Sequence, residues 1–178
     1  MGRLLRPTRG PERLGLSPEV HDAVEFGSGY GTFTIPAARM IQGSLHAFDI
    51  DTAMVERVRE KLEPEDLTNV SLHLKDFVEE GTGLPEGATD YAMLFNILHV
   101  ECPETLLGEA WRVIRHSGRL AVMHWRYDPT TPRGPSMAIR PRPEQCRSWS
   151  EGAGFVADGP GEIIDLPLYH YGMVMRKP

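Results

Sequence analysis

Cysteine is nearly absent from this chain. Cys102 and Cys146 are the only two in 178 residues, too few for a disulfide framework or a four-thiolate zinc site. Long apolar runs are missing too, and no stretch reaches the roughly 18 apolar residues that a membrane-spanning helix needs. The first nine residues are basic, but no apolar segment follows them, so they do not read as a secretory signal. Positive charge is not in excess: 19 Lys and Arg stand against 25 Asp and Glu, a net charge of −6. An overall basic footprint for nucleic acid is therefore lacking. These absences lead to the expectation of a soluble, cytoplasmic protein with neither a nucleic-acid nor a membrane partner. What is present, 40% hydrophobic residues in 178, is the composition of one ordinary domain. A chain of this length buries roughly 70% of its unfolded surface and needs no metal or covalent staple.

Turn signals cut the chain into alternating pieces. Residues 20–26, 44–50, 70–74, the first half of 91–100, and 119–125 read as strands. Residues 32–42, 52–62, 103–115 and 143–152 read as helices, with Asp51 as an N-cap and Pro103 at the first position of its helix. Residues 128–143 hold five prolines and a glycine with little periodicity, and read as a long loop. Two closing strands, 162–166 and 169–175, have no helix between them and pair as an antiparallel hairpin. Strand alternating with helix implies an α/β fold with a mostly parallel sheet covered on both faces. Residues 1–13 are expected to be a flexible lead-in without a core, and 14–178 a single domain.

The most informative stretch is Glu25-Phe26-Gly27-Ser28-Gly29-Tyr30-Gly31, which ends the first strand and precedes the first helix. Gly27 permits a sharp turn, and Gly29 removes a Cβ so that backbone can come close to a ligand. Helix N–H groups and the positive dipole end would face a negatively charged group there. A dinucleotide fingerprint requires a glycine where Thr32 stands, and no Lys-Ser or Lys-Thr pair follows, which excludes a P-loop. Asp49 closes the second strand, where a carboxylate can accept both hydroxyls of a ribose, each bond worth roughly 1.5–3 kcal/mol. A metal held by Asp49 and Asp51 has few further ligands nearby in sequence, and no metal is expected.

Taken in order, Glu25 to Gly31, then Asp49, then Lys75-Asp76-Phe77, then 90–96, resemble the motifs of class I S-adenosylmethionine-dependent methyltransferases. The likeness is closer to the broad small-molecule group that includes the ubiquinone/menaquinone-biosynthesis type, and covers residues 14–175. It implies a three-layer Rossmann-like fold of seven strands in the order 3-2-1-4-5-7-6, the last antiparallel. It implies S-adenosylmethionine as cofactor and a small molecule as methyl acceptor. By the same resemblance, backbone at Gly27, Ser28 and Gly29 faces the methionine moiety and Glu25 holds the turn and the amino group. Asp49 takes the ribose hydroxyls, Ile50 lies against the adenine, and Asp76 accepts its amino group. The Phe77 N–H meets a ring nitrogen, and Asn96 sits beneath the sulfonium. The usual N-terminal helical region is nearly absent, which leaves the acceptor pocket open or completed by a second chain in a homodimer.

Methyl transfer from a sulfonium needs alignment above all, and a base only when the acceptor must first lose a proton. His99 is the candidate for that role, as base or orienter, against the alternative of a histidine packed at the start of the next helix. His124 has a similar claim and the same alternative. The loop after the fifth strand, with Trp125, Tyr127, Arg133, Met137, Arg140 and Arg142, reads either as a lid over an acidic or aromatic acceptor or as a solvated loop. Two rival functions stand beside the methyltransferase: a cofactor-binding but catalytically silent partner subunit, and a nicotinamide-dependent oxidoreductase, disfavoured by Thr32. Nucleic-acid methylation lacks its Asn-Pro-Pro-Tyr tetrad, because Asn96-Ile97-Leu98-His99 occupies that place.

Overall fold

A computed structural model describes residues 9–159 and 162–178. In chain order the elements are α1 (Arg9–Arg13), β1 (Ala23–Phe26), α2 (Thr34–Met40), β2 (Leu45–Asp49), α3 (Thr52–Leu62), β3 (Val70–Leu74) and β4 (Thr89–Phe95). There follow α4 (Pro103–Val113), β5 (Ile114–Trp125), α5 (Pro143–Gly152), β6 (Val156–Ala157), β7 (Ile164–Leu166) and β8 (His170–Arg176). The strands form one sheet in the order β3-β2-β1-β4-β5-β8-β6, with β7 also paired to β8. From β3 to β5 all neighbours are parallel, and β8 runs antiparallel to β5.

The centre of this sheet is apolar because both its faces are covered. All four residues of β1 are buried, as are six of the seven in β4, the pattern of strands buried on both sides. On one face α4 contributes Leu106, Leu107, Ala110 and Val113, which pack with Phe26, Leu94 and Val122. On the other, Ala37 and Ala38 of α2 pack with Leu45, Tyr91 and Met93. Each fully buried Leu or Val contributes roughly 1.5–3 kcal/mol relative to exposure. Asp51 caps α3 as the sequence requires, its side chain accepting from the Ala53 N–H at 2.8 Å. Among the described residues no helix is long and apolar enough to cross a membrane.

Three features differ from expectation, and one connection left unassigned is now filled in. The described sheet has eight strands rather than seven, because the far edge is broken into β6 and β7. These pair with different halves of β8, Val156 opposite Arg176 and Ile164 opposite Gly172. The order is otherwise the expected one, with β8 in the place of the last predicted strand. No helix lies between β3 and β4 among the described residues; turns and irregular chain span 75–88, and Phe77 packs edge-on against Phe26 at 5.7 Å. β5 begins at Ile114, five residues early, because a bulge opposite β4 between Thr89 and Tyr91 absorbs the irregular start. Finally, residues 1–8 of the expected lead-in lie outside the described residues, while 9–13 form α1. Pro11 is buried there, and the following Leu14, also buried, accepts a hydrogen bond from the Tyr91 hydroxyl at 2.7 Å.

Candidate active site

The carboxyl ends of the parallel strands carry the site, as open α/β sheets arrange it. Gly27, Gly29 and Gly31 all have positive φ, at 81°, 49° and 72°, a backbone region that side-chain-bearing residues rarely adopt. A Cβ on Gly27 would come within 2.9 Å of Ile97, whereas one on Gly29 would meet no protein atom within 4 Å. Gly29 therefore opens onto free space, and what its missing side chain spares is the approach of something outside the protein. The turn's amides are already used. Gly27 and Ser28 both donate to the Phe48 carbonyl, at 3.0 and 2.8 Å, and Gly29 donates to Asp49 Oδ2 at 2.7 Å. The end of β2 thus engages the amides of Gly27, Ser28 and Gly29, and the helix expected to open directly after the turn starts only at Thr34. The turn instead presents bare Cα surface and the Ser28 hydroxyl, whose Oγ is buried without a hydrogen-bond partner.

Two carboxylates stand behind this turn. Asp49 is nearly buried, and its second oxygen accepts from the Asp51 N–H at 3.0 Å, so backbone donors fix both oxygens in place. Glu25 is 1% exposed and accepts from the Thr34 hydroxyl at 2.6 Å. Burial pushes its carboxyl up to about 8, the Thr34 bond opposing and the nearby Asp49 charge adding to the rise. Ile50, next to Asp49, is 62% exposed, an apolar surface held open at the strand edge. Asp76 Oδ1 accepts from the Val78 and Glu79 amides at 3.2 and 3.1 Å, which shapes the turn after β3. The Phe77 amide, expected to meet a ligand ring nitrogen, donates to the Lys75 carbonyl at 3.0 Å, and the Phe77 ring belongs to the core.

At the end of β4, Asn96 takes a left-handed conformation, φ 57°, which asparagine tolerates better than most residues. Its Oδ1 is buried with no hydrogen-bond partner, and its Nδ2 lies 3.4 Å from His170 Nε2. His99 lies within a turn closed by the Val100 amide on the Ile97 carbonyl. Its Nδ1 sits 3.3 Å from Nε2 of His124, a fully buried residue of β5. Burial lowers both imidazoles, His124 to about 3 with the neighbouring His99, His170 and Arg140 adding to the shift. An open pocket of about 480 Å³ is lined by Leu98, His99, Val100, Glu101, Pro103, Ile139 and Trp149. Ile139 comes from the proline-rich loop, so that loop does border the pocket. Arg140 does not reach into it. Its guanidinium donates to the carbonyls of Arg126, Asp128, Arg133 and Pro135 and to the Thr131 hydroxyl. Among the described residues no group of three or more His, Cys, Asp or Glu is arranged to hold a metal.

The family model described as "Methyltransferase domain" matches residues 23–118, which include the glycine turn, both carboxylates and Asn96. The chain belongs to the methyltransferase-domain family. No curated protein matches this methyltransferase by sequence, but its fold recurs among solved structures. A SAM-dependent methyltransferase from Aquifex aeolicus superposes with a TM-score of 0.86 at 22% identity, over 98% of this chain and 91% of the other. A geranyl diphosphate methyltransferase in complex with SAM gives 0.75 at 11% identity, over 94% and 82%. The [4+2]-cyclase SpnF gives 0.73 at 20% identity, over 86% and 58%. At such identities the likeness shows the fold, which is the class I methyltransferase fold.

The cofactor of this methyltransferase is S-adenosylmethionine, and the residues present fit it. Two buried polar atoms without protein partners, Ser28 Oγ and Asn96 Oδ1, belong to the segments that leave β1 and β4. A buried polar atom left unpaired costs about 1–3 kcal/mol, so a ligand that pairs with either is favoured. The carboxyl groups of Glu25 and Asp49 suit a cofactor that carries ammonium and sulfonium charge, and a cation beside Glu25 would favour its ionised form. Sequence reasoning did not bring His99 and His124 together, because 25 positions separate them and only the β4–β5 pairing makes them neighbours. Nor did it find the inward role of Arg140, which composition cannot distinguish from that of a solvated arginine.

Proposed function

We propose that this chain transfers the methyl group of S-adenosylmethionine to a small molecule seated in the pocket beside His99. The observation that carries the reading is the pair of unpartnered buried atoms, Ser28 Oγ after β1 and Asn96 Oδ1 after β4, with Asp49 fixed at the end of the neighbouring β2. Asp49 would take the ribose hydroxyls with its remaining lone pairs, Ile50 would lie against the adenine, and Asp76 would accept the adenine amino group. Glu25 would hold the ammonium group, with Gly27, Ser28 and Gly29 against the methionine chain, and Asn96 beneath the sulfonium. The bound cofactor supplies an electrophilic methyl on a good leaving group. The protein's contribution is to align acceptor, carbon and sulfur, and such positioning lowers a barrier by roughly 7–11 kcal/mol. A pocket of about 480 Å³ lies in the range of small-molecule sites. His99 touches the acceptor there as base or orienter.

The test is to incubate the protein with S-adenosylmethionine and fractionated metabolite extracts, and to search by mass spectrometry for a gain of about 14 Da. A protein-dependent gain that is lost in Asp49→Ala is the expected result. Tight cofactor binding without any such gain in any fraction would favour a catalytically silent subunit.

A further inference from the structure

The pocket beside His99 is chemically one-sided. Five of its seven lining residues are apolar, the largest being Trp149 of α5 and Ile139 of the proline-rich loop, and the other two are His99 and Glu101. No Lys or Arg lines it, although arginines stand close to Ile139 in sequence. Arg140 is turned into its own loop, onto backbone carbonyls that include those of Arg126 and Pro135. Arg142 lies over the Tyr127 ring, 3.7 Å from its centroid, and Arg126 is paired with Asp165. The loop thus gives the pocket an apolar side chain and holds these three guanidinium groups elsewhere. His99 supplies no compensating charge, because burial lowers its pKa from the ordinary value and leaves the ring neutral at pH 7.

The start of α4 also borders the pocket, and a helix N-terminus can attract an anion. Here it has little to offer one. Pro103, its first residue, has no N–H, and the Thr105 amide is bonded to the Cys102 carbonyl at 3.2 Å. Glu101 precedes the helix and Glu104 stands in its first turn, two carboxylates that offset the dipole. A carboxylate or phosphate entering this pocket would lose water, meet no cation in return, and face Glu101 at like charge. We propose that the pocket admits an apolar, ring-sized acceptor without negative charge and excludes organic anions. Ile139 and Trp149 are the walls that select the apolar body, and Glu101 is the side chain that repels an anion. What happens to the bound molecule rests on the methyltransferase reading, whereas the selection is a property of the walls.

Three probes test this: indole, indole-3-acetamide and indole-3-acetate, of which the last two share a shape and differ by one charge. Each is titrated into the isotope-labelled chain saturated with S-adenosylhomocysteine. Binding is followed by NMR on the side-chain N–H of Trp149, assigned with Trp149→Phe. Indole and the amide should shift that signal saturably, and the acetate should bind at least about tenfold more weakly than the amide. Glu101→Gln should narrow the gap, and Glu101→Lys should narrow it further. Ile139 is exposed and outside both core clusters, so Ile139→Ser tests the wall without threatening the fold. It should weaken binding of the amide by about threefold or more. Equal affinity for amide and acetate overturns the proposal, as does no response to indole or the amide. A full gap in Glu101→Lys, or full affinity in Ile139→Ser, overturns the role given to that residue. Failure of S-adenosylhomocysteine to bind would fail the methyltransferase reading, and the same series on the free chain would still decide the selectivity of the pocket.

Discussion

Asp49 does two things with one carboxylate. It holds the glycine turn through the Gly29 amide, and in the proposed function its remaining lone pairs accept the ribose hydroxyls. Asp49→Ala should weaken S-adenosylhomocysteine binding at least about tenfold by calorimetry, since two charge-assisted bonds of roughly 1.5–3 kcal/mol are at stake. Circular dichroism should show the fold retained, and unchanged affinity would remove Asp49 from the site. Glu25 makes a separate prediction about pH. Its carboxyl titrates at about 8 in the folded chain against 4.5 in its ordinary state. Between those values the folded state holds a proton that the unfolded state has lost. Stability contributed by this group is thus full below about pH 4.5, falls as pH rises, and levels off above about 8. Denaturant melts of Glu25→Gln should lack that part of the decline. If the variant and the wild type decline in parallel from pH 5 to 8, Glu25 is not the buried acid described here.

The elements show which parts of the fold can be read from local sequence. α3, β3 and α5 have the boundaries that capping residues and periodicity give, because Asp51 and Pro143 mark helix starts and Val70, Leu72 and Leu74 alternate. β6 could not be read, since two residues carry no period, and it exists only because β8 offers an edge. The 75–88 connection carried no assigned element, and what could not be read is that its Phe77 ring turns inward to cover the sheet. The proline-rich loop was legible as a loop but not as an ordered one. Arg140 organises it from within, its buried guanidinium bonded to four carbonyls and a hydroxyl. Arg140→Met should cost about 2–4 kcal/mol, from several lost bonds to a charged group. It should also raise hydrogen exchange across 126–142 while the sheet amides stay protected. Equal protection of the loop in variant and wild type would contradict this role.

At the scale of the molecule, the ordering of motifs carried more than any one of them. A glycine turn, an acid at the next strand end and a polar residue after β4 lie far apart in sequence. A parallel sheet with its crossovers brings them to one edge, and that much follows from element order alone. What did not follow was how the backbone amides are spent and which histidines meet, since both depend on strand register and on the rotation of individual side chains. In the proposed function this edge is built for an adenosyl thioether and not for a dinucleotide. Isothermal titration of the protein with S-adenosylhomocysteine and, separately, with NAD tests that claim most directly. Saturable one-to-one binding of the first with no heat from the second is the expected result. Binding of NAD with none of S-adenosylhomocysteine would contradict it.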